Sequence, residues 1–148
     1  MNCKMCDSLI NIQDNPYLIM ELETGYAVLG WFQRFKGYTV FMCKQHGPEL
    51  HNLEHEFRIK HLSEMILVAE AVFNVIKPEK MNYELLGNGC PHIHWHLYPR
   101  FRGDTPIVSS VYQLTDAELF DESYRPSEEQ RKELIKKIRN EIIRLRKL

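Results

Sequence analysis

The sequence predicts an α+β fold, with a mainly antiparallel sheet of about five strands, one long central helix and a C-terminal helix. Three observations carry this expectation. Short apolar and β-branched runs, broken by turn formers, surround one long stretch of helical periodicity. The order of segments is strands, helix, strands, helix. The links between neighbouring strands are too tight for the crossovers that a parallel doubly wound sheet requires.

Residues 1–15 hold a CxxC pair and turn formers, including Asp14-Asn15-Pro16. YLIMELETGYAVLGW (17–31) reads as two strands broken at Glu23-Thr24-Gly25. After Gly37, YTVFMCK (38–44) has the composition of a buried strand. The period then changes. Phe57, His61/Leu62, Met65/Ile66, Ala69, Val72/Phe73 and Ile76 recur at threes and fours, which predicts an amphipathic helix over roughly 54–77. Lys77-Pro78 ends it, because a residue before proline avoids the α region. MNYELLG (81–87) and PHIHWHLYPR (91–100) follow as strands joined by a Gly87-Asn88-Gly89 turn. A looser acidic stretch leads to the last helix, from about 127. Ser127 is its N-cap, Glu128 and Glu129 lie in the first turn, and Lys/Arg crowd the far end. Ile135, Ile138, Ile142 and Leu145 form its buried stripe. No boundary for a second domain is visible, so residues 1–148 are expected to form a single domain.

With 148 residues, 44% apolar and 26% charged, the chain has the make-up of an ordinary soluble domain. A net charge of −1 gives no basic field for nucleic acid, although a local anion pocket needs only a few donors. No run approaches the ~18 apolar residues of a membrane span, and the N-terminus is too polar for a signal peptide. The expected compartment is the cytoplasm. Four cysteines are too few for a secreted disulfide framework and read there as thiols or metal ligands.

The chemistry concentrates in CPHIHWHLYPRF, residues 90–101. Alternate side chains on a strand share a face, so His92, His94, His96 and Tyr98 point one way and Ile93, Trp95 and Leu97 the other. The second set is uniformly apolar and is the core face. A solvated polar face accounts poorly for three imidazoles in strict alternation closed by Pro-Arg. As metal ligands, residues at i and i+2 have roots about 7 Å apart, so two can share an ion but three rarely converge. A phosphate fits the row better, since its attack needs one nucleophile flanked by donors.

Cys3 and Cys6 have the spacing of a zinc half-site, with a redox pair or two idle thiols as the competing readings. His51, His55 and His61 read as solvated surface of the long helix, and the basic run at the C-terminus as the wet side of an amphipathic one.

HIHWHLYPR resembles the motif of the histidine triad superfamily, in which His-x-His-x-His alternates with apolar residues and often ends in Pro-Arg. CKMC is similar to the N-terminal CxxC of many prokaryotic members, and GYTVFMCKQHGPELHNL (37–53) looks like their Gly-led strand and Lys-x-His turn. The resemblance covers residues 3 to 101. It implies a nucleotidyl hydrolase or transferase acting on a dinucleoside polyphosphate or nucleoside phosphoramidate. His94 would be the nucleophile, attacking the α-phosphorus and forming a nucleotidyl-histidine intermediate. Its other ring nitrogen should donate to a backbone carbonyl. His96 would bind phosphate and assist the leaving group, Asn88 would donate to ribose or phosphate, and Arg100 would steady the anionic site or form an ion pair. Zinc-containing relatives imply His46 and His92 as partners of Cys3 and Cys6 around a structural zinc, with Cys90 or Cys43 as substitutes. Relatives are commonly homodimers, so the same is expected. Two departures bear on the leaving group: Tyr38 stands where many members have a fourth histidine, and the usual glutamine before the triad is absent from LLGNGCPH. They keep open a second reading, a zinc-stabilised nucleotide-binding module without turnover; a third is a metallohydrolase using the triad as ligands.

Overall fold

The computed structural model describes residues 3–148 and contains a five-stranded antiparallel sheet flanked by helices. The elements are α1 (Lys4–Leu9), β1 (Leu18–Glu21), β2 (Gly25–Leu29), β3 (Thr39–Cys43), α2 (His55–Ile76), β4 (Lys80–Glu84), β5 (His94–Arg100), α3 (Asp116–Leu119) and α4 (Glu128–Leu145). Strands lie in the order β1-β2-β3-β5-β4, every neighbouring pair antiparallel. The α+β class expected from the sequence is the one observed.

Local chemistry explains the long elements. Glu54 caps α2 by accepting from the Glu56 and Phe57 amides, and Lys77 closes it in the left-handed conformation at φ 57° before Pro78. Ser127 and Gln130 form a reciprocal capping box at the start of α4. Met65, Val68, Ala69 and Val72 of α2 pack on one sheet face with Ile19, Ala27, Leu29, Phe41 and Leu97, and Ile135, Ile138 and Ile142 of α4 close the same core. Two expected members of the α2 stripe, Ile66 and Phe73, are instead exposed, as is Ile59. Those three positions share a heptad-spaced stripe on the far side of the helix.

Two expectations need correction. The first concerns His61, read from the sequence as solvated surface. It is 0% exposed, sandwiched between the Phe41 ring at 4.9 Å and the Phe57 ring at 6.3 Å. The physical reason is a buried polar latch. Glu64 accepts from the amides of Glu23 and Thr24 and from the Thr24 hydroxyl at 2.6 Å, so Thr24 Oγ1 is left to accept from His61 Nδ1, 3.1 Å away. The latch holds the β1–β2 turn onto α2. His51 and His55 are exposed as expected.

The second concerns the β4–β5 connection. It is a loop over 85–93 rather than a tight turn, and β5 begins at His94. Pro91 cannot donate to a ladder, and the His92 amide bonds back to the Cys90 carbonyl at 2.7 Å. His92 therefore sits just outside the strand, its backbone turned away from regular pairing.

Burial holds His61 well down, at about 4, against about 6.5 for an unfolded histidine. Between these values the unfolded chain binds the extra proton, so stability rises with pH, and this contribution is lost as pH falls from about 6.5 towards about 4. His61→Leu should flatten the difference in urea-denaturation stability between pH 7 and pH 4.5 by about 2 kcal/mol relative to wild type. An identical pH difference in both proteins would show that His61 titrates freely.

Candidate functional site

The sheet face opposite α2 carries the chemistry. Cross-strand pairing puts Met42 beside His94 and Val40 beside His96, and Tyr38 precedes them on the same face. These side chains line a cavity of about 370 Å³. Its walls come from Val28 of β2, the aromatic segment Trp31, Phe32 and Phe35, Met5 and Ser8 of α1, and Leu119-Phe120 at the end of α3. An apolar hollow with one polar wall is the ordinary anatomy of a small-ligand pocket. Both faces of β5 are thus covered. The opposite face carries Ile93 and Leu97, both buried, and Trp95, which is half-buried.

Each histidine of the row is fixed by a different partner. His94 Nδ1 lies 2.6 Å from the carbonyl oxygen of His92. A carbonyl only accepts, so Nδ1 carries the hydrogen and Nε2 keeps its lone pair. His96 Nδ1 lies 2.6 Å from the Tyr38 hydroxyl, and burial pushes this imidazole down to about 4, with His94 adding to the effect. The two rings meet edge to face, centroids 4.9 Å apart.

His92 turns the other way. Its Nε2 lies 2.8 Å from the Cys43 carbonyl, which places the hydrogen there and aims the Nδ1 lone pair at Cys3 Sγ (3.6 Å) and Cys6 Sγ (3.5 Å). His46 Nδ1 approaches Cys6 Sγ at 3.5 Å. The four ligand atoms all lie within 4.8 Å of one another. Zinc bonds of about 2.3 Å to sulfur and about 2.0–2.1 Å to nitrogen, at tetrahedral angles, imply a sulfur–nitrogen edge of roughly 3.6 Å. The observed separations match that edge, so the donor set and its geometry both fit a four-coordinate zinc. Cys3 is also the N-cap of α1, and the Cys6 amide pointing at its sulfur lowers its thiol below the usual range. Burial holds His92 below the usual imidazole range, as a neutral ligand requires. Cys43 is buried outside this group and burial pushes its thiol up to about 11. Cys90 stands beside Cys3 without joining the four.

Two residues named from the sequence lie elsewhere. Arg100 spends its guanidinium on Asp104 through two bonds, on Asn82, on the Ser109 carbonyl and on Thr105. It stacks over Phe35 at 5.0 Å and does not line the cavity. Of the two roles considered for it, the ion pair is the one observed, because every donor is consumed in tying the 101–110 loop to β4. Asn88 is exposed on the 85–93 loop and does not line the cavity either. Sequence reasoning overlooked the aromatic wall, for which the cluster WFQRF (31–35) was the available signal.

Fold and site together define an α+β protein that presents a row of imidazoles to an aromatic-walled pocket. The sequence matches the HIT domain family model over residues 13–103, more than half of its length, and the chain belongs to the histidine triad (HIT) family. No curated protein sequence gives a significant match. Among solved structures, a histidine triad protein from Bradyrhizobium japonicum is similar at TM-score 0.74 and 19% identity, covering 84% of this chain and 89% of its own. A hypothetical histidine triad nucleotide-binding protein from Sulfolobus tokodaii gives 0.70 and 22%, over 97% and 93% of the two chains. A Zn-bound histidine triad family protein from Mycobacterium smegmatis gives 0.67 and 20%, over 99% and 97%.

Proposed function

We propose that the protein is a nucleotidyl hydrolase or transferase that cleaves at the α-phosphate of a nucleoside phosphate derivative, a dinucleoside polyphosphate or a nucleoside phosphoramidate. The observation that carries this reading is the His94–His92 hydrogen bond, which commits Nδ1 and leaves the Nε2 lone pair on the cavity side. That nitrogen forms a bond to phosphorus, the leaving group departs with its electron pair, and water then releases the nucleotide from His94. His96 contacts the phosphate oxygens, while Phe32, Trp31 and Phe120 offer faces for the base.

Cys3, Cys6, His46 and His92 would hold a structural zinc, a role supported by their mutual spacing and by a complement of four protein donors. Bound there, the ion supplies a cross-link and no chemistry. A homodimer is supported by the exposed Ile59, Ile66 and Phe73 stripe of α2 and by β4, which among the described residues is an edge strand of the sheet. No helix of the described residues is long and apolar enough to cross a membrane, and we place the protein in the cytoplasm, acting on small nucleotides.

With diadenosine tetraphosphate as substrate, His94→Ala should lower kcat at least about 10³-fold, and rapid quenching of wild type should trap an acid-labile adenylyl group on His94 by mass spectrometry. Turnover that survives His94→Ala sinks the mechanism, and nucleotide binding without turnover in wild type points to a binding module. Purified protein should carry one zinc per chain. Cys6→Ser should lose it and lower Tm by roughly 10 °C; undiminished zinc in that variant, read by elemental analysis, would remove Cys6 from the site.

A further inference from the structure

The Tyr38 side chain is held from two sides. Its ring lies on the Tyr98 ring, centroids 4.2 Å apart and planes within 5°. Its other flank fills the space at Gly30, where an added Cβ would come within 2.1 Å of the ring. The hydroxyl is thereby delivered to one point, 2.6 Å from His96 Nδ1.

The direction of that bond follows from counting hydrogens. A neutral imidazole has a single N–H. Were it on Nδ1, the Tyr38 oxygen would accept from the imidazole as well as from the Tyr98 hydroxyl stacked beside it, and its own hydrogen would be left without a partner. A buried O–H is not normally left in that state. Burial holds the Tyr38 and Tyr98 phenols far above their usual range, so neither releases a proton, and His96, held low by burial, is neutral near pH 7. The single imidazole hydrogen is then on Nε2, on the cavity side.

The geometry points to Tyr38 as a positioning residue: it donates to His96 Nδ1, locks the ring as the Nε2–H tautomer, and so matches the site to leaving groups that depart as anions, favouring nucleoside phosphate anhydrides over phosphoramidates. This rests on the nucleotidyl-transfer reading above. When His94 Nε2 bonds to the α-phosphorus, the bond to the leaving group breaks and the electron pair goes with that group. An anhydride oxygen leaves as a phosphate anion and needs only a hydrogen bond from His96 Nε2–H. An amine nitrogen must also receive a proton. His96 can supply one only by becoming an imidazolate, or by drawing the Tyr38 hydrogen onto Nδ1 and leaving a buried phenolate. Both outcomes create an unpaired anion in an apolar cavity. In the second half water forms the new P–O bond, the N–P bond breaks, and the water proton passes to solvent.

Two measurements on the full-length protein test this. The first is ¹⁵N NMR of the His96 ring in nucleotide-free protein at pH 7. Wild type should show Nε2 protonated and Nδ1 bare, and Tyr38→Phe a mixture of tautomers. An Nδ1–H tautomer or an imidazolium in wild type overturns the assignment. The second compares kcat/KM for diadenosine tetraphosphate and adenosine 5′-phosphoramidate. The anhydride should be favoured by at least about 10²-fold, the scale of a missing general acid. Tyr38→Phe should lower kcat on the anhydride roughly two- to tenfold, the scale of one hydrogen bond, with KM little changed. Tyr38→His, which replaces the phenol with a ring able to carry a spare proton, should narrow the gap. Equal turnover of both substrates by wild type, or a gap unmoved by Tyr38→His, overturns the preference. Turnover of neither removes the nucleotidyl-transfer reading and the preference with it, while the NMR result still decides the direction of the Tyr38 bond.

Discussion

The site is organised around a single residue, His92, which is attached to its surroundings at three points. Its Nε2–H is bound to the Cys43 carbonyl at the end of β3, its Nδ1 faces the two N-terminal thiols, and its own carbonyl takes the hydrogen of His94. Moving the ring would break the approach of the cysteines. Moving the backbone would release the tautomer of His94 and, with it, the lone pair on the cavity side. The irregular peptide at Pro91-His92 is therefore the joint between the sulfur cluster and the imidazole row.

The sheet divides the molecule into two kinds of burial. On the α2 side the packing is apolar except for the Thr24–Glu64–His61 latch, whose carboxylate is fully satisfied by neutral donors. On the other side the cover is thin and aromatic, made by the 31–35 segment, α1 and residues 119–120, and it leaves a hollow instead of a filled core. Desolvation in that hollow keeps His96 neutral and the Tyr38 phenol protonated. The same aromatic wall thus also sets the protonation of the groups beneath it.

Much of this was legible in the sequence. Alternation within the strand placed His94, His96 and Tyr98 on one face, because a period of two admits no other arrangement there, while His92, just outside the strand, escaped that rule. The CxxC spacing announced a half-site, and the period of α2 and the Ser127 cap located both long helices to within a residue or two. What escaped is whatever depends on partners distant in sequence. His61 looked like one more polar residue of a surface helix until Thr24, itself held by Glu64, supplied its buried hydrogen bond. Arg100 looked like an anion-site donor because its Asp104, Asn82 and Ser109 partners are brought to it only by the fold of the 101–110 loop. Tyr38 was recognisable as a departure from the family pattern, but its bond to His96 across 58 positions required the β3–β5 register.

That register also links the N-terminus to the pocket. Met5 and Ser8 line the cavity, yet α1 is six residues long and none of them is buried. A helix of that length has little stability of its own. Its anchors are Cys3, its N-cap, and Cys6, within its first turn, which reach across to His92 and His46. A metal bound by those four groups would hold α1 as one wall of the cavity, and the same His92 that anchors the helix orients the His94 ring. Pocket shape and the orientation of the His94 ring would then be two outputs of one cross-link, and a four-coordinate structural ion there would still govern what the histidine row can do.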